Sequence, residues 1–170
     1  MAHTLTDRHR PGALGVWALG VAAVLAACDK SPAPAASGTP AQATPASTET
    51  LARRGLTREQ VQRGATLYAA NCAVCHGARG EGAPNWHRPG PDGAYPPPPL
   101  DGSAHAWHHP RTALQRTIRD GTAKMGGRMP AWKDKLSDAD IDAIIDWMIA
   151  SWPDEIYAAW RKLDAGGGRR

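Results

Sequence analysis

The chain has 170 residues and a formal net charge of +4, from 20 Lys and Arg against 16 Asp and Glu. That balance is too even for the strongly basic face with which proteins grip nucleic acid, so no nucleic-acid partner is expected. Once a leader and a polar stretch are set aside, roughly 110 residues remain, enough for one domain with a thin core.

Residues 1–27 read as an export signal. Arg8, His9 and Arg10 give a basic start, and Gly12 to Ala27 is an uncharged, mostly apolar run. The run is short for a membrane span, which needs about 18 or more such residues. It ends in Leu25-Ala26-Ala27-Cys28, which resembles the lipobox of bacterial lipoproteins. That resemblance implies lipidation of Cys28 and anchoring to the membrane, stable where two or more acyl chains are attached. Asp29 directly after it resembles the inner-membrane retention signal of such proteins. Residues 28–52 are then expected to be a disordered, lipid-anchored linker. Ser31 to Thr50 holds Pro, Ala, Ser and Thr, one charge and almost nothing to bury, so it cannot offset its ordering entropy. As a coil it would reach roughly 25 Å, and up to about 60 Å if extended.

A domain is expected over residues 53–165. Thr57 and Gln60 form a capping-box pattern, predicting a helix from about residue 58 to 70. Val61, Ala65 and Tyr68 recur at helical spacing, with Leu67 beside them. Gly64 costs about 1 kcal/mol in a helix interior relative to Ala, a cost that a close helix crossing would explain.

That helix runs into Cys72-Ala73-Val74-Cys75-His76. C-x-x-C-H is the attachment signature of c-type haem: two thiols form thioethers with the porphyrin vinyl groups, and the next histidine binds iron. A redox C-x-x-C would want a βαβ pattern, which is absent. A zinc site would need more cysteines or a spaced pair of histidines. With Cys28 otherwise explained, attachment uses both remaining cysteines.

The segment after it is rich in Gly and Pro and excludes regular structure. Tyr95-Pro96-Pro97-Pro98-Pro99-Leu100 predicts polyproline II. His105, His108 and His109 stand within five residues and could hold copper or zinc, with His87 or Met125 as a further ligand. The plainer reading is capping or solvent contact. A third helix, about 111–120, is opened by Pro110 and closed by Gly121, with Leu114 and Ile118 inward. The clearest helix starts at Ser137: Asp138 and Asp140 occupy its first turn, and Ile141, Ile144, Ile145 and Met148 form one stripe, extended by Trp147 and Trp152. A final helix begins at Pro153, with Ile156, Trp160 and Leu163 inward and Arg161 and Lys162 at its end. Residues 166–170 are expected to be a frayed basic tail.

A helix before C-x-x-C-H, another near the C-terminus, and Arg128-Met129-Pro130-Ala131-Trp132 between them together resemble a monohaem class I cytochrome c. The resemblance covers roughly residues 55–150. It implies an all-α fold of three to five helices around one covalently bound haem c, with a Pro/Gly-rich loop wrapping the haem edge. In that family the two terminal helices cross, usually at a glycine such as Gly64. Trp86, Arg88, Tyr95 and Trp107 are then candidates for the haem wall. Met129 is implied as the second iron ligand opposite His76. Met125 competes but lacks the following proline, Met148 falls in the helical stripe, and a histidine of the 105–109 cluster could take the place instead. The implied function is electron transfer with no catalytic residue, between redox partners of a respiratory chain on the periplasmic side of the bacterial inner membrane. Two other readings stay open: a five-coordinate haem enzyme or sensor, and a copper-binding module built on the histidine cluster.

Overall fold

The computed structural model describes residues 46–167, which contain six α-helices, two 3-10 turns and no strand. The export segment and Cys28 lie outside the described residues. Helix α1 (Thr48–Arg53) is followed by α2 (Arg58–Asn71) and the one-turn α3 (Ala73–His76). A long irregular segment then reaches a 3-10 turn (Ala106–His108) and α4 (Arg111–Asp120). A second 3-10 turn (Ala123–Met125), α5 (Asp138–Ser151) and α6 (Asp154–Gly167) complete the described chain. No helix among the described residues is long and apolar enough to cross a membrane.

Helices α2 and α5 form the frame. The Thr57 hydroxyl accepts from Gln60 N while the Gln60 side chain accepts from Thr57 N, the reciprocal cap the sequence predicts. Ser137 and Asp140 make the same pair at the start of α5. The two helices touch at Gly64, where a Cβ would lie 1.9 Å from the Ala143 carbonyl oxygen and 2.8 Å from the Trp147 Cβ. Tyr68 stacks on Trp147 one turn further along, ring centroids 3.9 Å apart. Ile141, Ile144, Ile145, Met148 and Ile149 are all buried beneath this crossing, and Leu114 and Ile118 of α4 close the core from the side.

Four sequence expectations change. The linker does not extend to residue 52, because Ser47 caps α1 and Leu51 is buried. This helix and the one-turn α3 take the helix number past the expected three to five. At the other end, Pro153 stands just before α6, its carbonyl accepting the Tyr157 amide, and the helix runs past Arg161 and Lys162 to Gly167, into the expected tail. Trp160 is buried, but Leu163 is exposed; Tyr157 and Asp164 turn inward instead.

Arg54 is the polar clasp of the fold. Its guanidinium is buried and donates to the carbonyls of Ile149, Ala150 and Trp152 and to Asp154. It thus satisfies two of the orphan carbonyls at the end of α5, those of Ile149 and Ala150, and the Trp152 carbonyl just beyond. The Tyr157 ring lies 4.5 Å from the guanidinium carbon, and its hydroxyl donates to the Arg54 carbonyl.

Gly64→Ala gains helix propensity yet must push α5 away, so unfolding by denaturant should show a net loss of about 1–3 kcal/mol. Asp140 is held at about 2, first by the Ser137 hydroxyl and then by Arg63. A depressed carboxyl stabilises above its unfolded pKa and loses that contribution as pH falls through the folded value. The stability gap between wild type and Asp140→Ala is therefore expected near neutrality and should close as pH drops from about 4 toward 2.

Candidate functional site

Helix α2 delivers the attachment motif. Cys72 ends the helix, its amide donating to the Tyr68 carbonyl at 2.8 Å, and α3 coils the next four residues into one turn. Amides of Cys75 and His76 both donate to the Cys72 carbonyl, at 3.1 and 2.9 Å. Cys72 is half-buried, Cys75 is exposed, and neither is in a disulfide. Val74 between them is 89% exposed, so the motif sits at the surface with His76 turned inward. Burial, then the neighbouring Cys75, pushes the Cys72 thiol up to about 11, so it stays protonated at neutral pH.

His76 is buried, and its Nδ1 lies 2.9 Å from the Pro98 carbonyl oxygen. A carbonyl only accepts, so Nδ1 carries the proton and the lone pair stands on Nε2. Burial pushes the imidazole down from its ordinary range, favouring the neutral form that a metal ligand needs, while the Pro98 bond works against that shift. The four prolines 96–99 have no N–H to offer, yet their carbonyls are used. Pro97 accepts from Ala83 N at 2.8 Å, Pro98 from His76, and Leu100 N closes on the Gly80 carbonyl at 2.6 Å. Gly82 permits this approach: its φ is +73°, and a Cβ there would lie 2.4 Å from Pro99 N. The Gly77 carbonyl accepts from the Tyr68 hydroxyl at 2.7 Å, and burial raises that phenol far above its usual range.

Met129 is half-buried and packs on the same apolar cluster that Cys72 and Ala73 touch. Its loop folds back on the end of α4: Thr122 N donates to the Met129 carbonyl, and Met129 N donates to the Thr122 hydroxyl. Gly121 allows it, since a Cβ there would lie 2.5 Å from the Met129 carbonyl oxygen. Met125 is 74% exposed and Met148 is core, so among the described methionines Met129 is the half-buried one.

The histidine cluster forms no such site. His105, His108 and His109 are exposed, with rings turned edge-on to Trp86, Trp107 and one another, and among the described residues no three His, Cys, Asp or Glu side chains are grouped to hold a metal. Trp86 and Trp107 are half-buried and remain candidates for the loop wall, whereas Tyr95 and Arg88 are exposed. Sequence reasoning missed the Pro98 carbonyl and Arg54. A run of donor-less prolines after a ligand motif is the signal for the first; nothing in the sequence marks the second.

Two free thiols flanking a turn, and a buried imidazole with its Nε2 lone pair fixed by a backbone carbonyl, fit haem attachment and iron ligation. These features on a helical frame define a c-type cytochrome domain. Residues 59–148 match the family model described as cytochrome C oxidase, cbb3-type, subunit III, and the chain belongs to that family. Two curated relatives carry the name cbb3-type cytochrome c oxidase subunit CcoP. That of Azospirillum sp. (strain B510) is 36% identical over 85 residues, covering 50% of this chain and 26% of the relative. That of Azospirillum brasilense is 34% identical over 95 residues, covering 55% and 29%. The chain thus spans under a third of the length of these relatives. No solved structure matches it.

Tyr68→Phe removes the bond to the Gly77 carbonyl next to His76 and should lower the unfolding free energy by about 1 kcal/mol, read from the shift of a urea midpoint.

Proposed function

We propose that this domain carries one haem c, bound through thioethers at Cys72 and Cys75 with His76 and Met129 on the iron, and passes single electrons between proteins of a respiratory chain. The observation that carries this reading is the His76–Pro98 bond beside a surface-exposed C-x-x-C turn. When bound, the haem supplies a one-electron iron couple, and a thioether ligand favours its reduced form. The chain's own part is positional. Helix α2 fixes the two sulfurs, Pro98 fixes the imidazole, and the Thr122–Met129 backbone pair fixes the thioether loop. His76 and Met129 would together complete the iron's ligand set, which would leave no position for substrate. The exposure of Cys75 and Val74 supports electron exchange close to the attachment turn, with no movement of the fold required.

One C-x-x-C-H in the sequence supports one haem. The relatives' name supports an oxidase of the cbb3 kind as the redox partner. Cys28 is the proposed lipid anchor, on the periplasmic face of the inner membrane, with the residues before Ser47 as the tether. Such a tether raises the effective concentration of partners in the same membrane.

The ferric visible spectrum tests the ligands. Wild type should show the weak far-red band of methionine sulfur on low-spin ferric iron, and Met129→Ala should lose it. A band that survives the substitution, or is missing from the wild type, sinks the assignment of Met129.

A further inference from the structure

The segment after residue 148 lies beyond the stretch matched by the family model, yet it reaches into the loop that orients His76. Trp152 follows α5, is 2% exposed, and donates its indole N–H to the Leu100 carbonyl at 2.8 Å. Its ring lies against the backbone of Gly102, where a Cβ would stand 3.2 Å from the Trp152 Cδ1. Trp160, from α6, meets Trp152 edge-on with centroids 5.6 Å apart and donates to the His109 carbonyl at 3.0 Å. Asp164 accepts the Arg111 amide at 2.7 Å. The C-terminal segment therefore grips the loop at Leu100 and at its exit near His109.

The grip at Leu100 matters for a specific reason. Residues 96–99 have no amide hydrogens, so this stretch cannot be pinned by its own donors. Its direction is set by what its carbonyls accept and by the first amide after the prolines. That amide, Leu100 N, goes to Gly80, and the Leu100 carbonyl goes to Trp152. The Pro98 carbonyl two residues earlier is the one that His76 uses. A histidine whose Nδ1–H is held by a carbonyl is a stronger donor through Nε2, which favours the oxidised metal.

We infer that Trp152 is a positioning residue for the haem: its hydrogen bond to Leu100 fixes the Pro98 carbonyl and thereby tunes how strongly His76 donates to the iron. This rests on the haem reading proposed above. Trp160 serves as the comparison, because it grips the same loop at a carbonyl that does not bear on His76.

The test uses the full chain, matured with haem, as wild type, Trp152→Phe and Trp160→Phe. Covalent haem is assayed first by pyridine haemochrome, then the midpoint potential and the hydrogen exchange of the Leu100 amide. Trp152→Phe should raise the potential and speed exchange at Leu100 about fivefold, the loss of one ordinary hydrogen bond, while Trp160→Phe leaves the potential at the wild-type value. An unmoved potential in Trp152→Phe, or an equal shift in both variants, overturns the inference in favour of simple packing. A wild type without covalent haem overturns the haem reading and this one together, whereas a loaded wild type with an unmoved Trp152→Phe overturns only this one. If Trp152→Phe does not accumulate, replacing Trp152 with 3-benzothienylalanine keeps the shape, removes the N–H, and is held to the same outcomes.

Discussion

The rest of the described structure depends on the contact at Gly64. Any side chain there would collide with the Ala143 carbonyl, so the distance between α2 and α5 is set by the absence of a Cβ. Everything chemical hangs from that distance. Helix α2 continues into the cysteine turn, so its placement decides where the thiols and imidazole stand. Helix α5 continues into Trp152, so the same crossing decides what grips the loop opposite the imidazole. The Tyr68–Trp147 stack locks rotation of one helix about the other, and the Tyr68 hydroxyl carries the constraint to the Gly77 carbonyl beside His76.

A turn suited to covalent attachment must be both accessible and fixed. Here the two demands are divided among neighbouring residues. Cys75 and Val74 face outward, while His76 points into the fold and is held by a backbone oxygen. Carbonyls of a proline run suit that task, because such a run makes no competing pairs of its own. The resulting site is neutral and sheltered, which costs less than burying a charge and leaves the nitrogen lone pair available.

Much of the frame was legible in the sequence because its signals are local. The Thr57–Gln60 cap, the Ser137 start with its acidic first turn, the isoleucine stripe of α5 and the bounds of α4 all depend on residues within a few positions of each other. Gly64 was legible too, as a cost that a close crossing would explain. The misses are long-range. Arg54 reads as a surface arginine, and only the fold brings the α5 carbonyls to it across some hundred residues of chain. Leu51 looks too isolated to hold a helix until its cover exists. Leu163 falls on the expected stripe of α6, but that helix is rolled by Trp160, whose indole must reach the His109 carbonyl. Three histidines in five residues suggest a cluster, yet the fold leaves them exposed, their rings edge-on to Trp86, Trp107 and one another.

The Arg54 clasp has a mechanical consequence. The chain enters the folded body through α1, and Arg54, at the end of that helix, is bonded to the close of α5 and the opening of α6. A pull on the start of α1 would first load this set of charged hydrogen bonds rather than the Thr57 cap of α2. Those bonds act together, so tension is passed to the end of α5 and to Trp152. Trp152 is the point where that load meets the haem-side loop, since its carbonyl accepts from Arg54 while its indole holds Leu100.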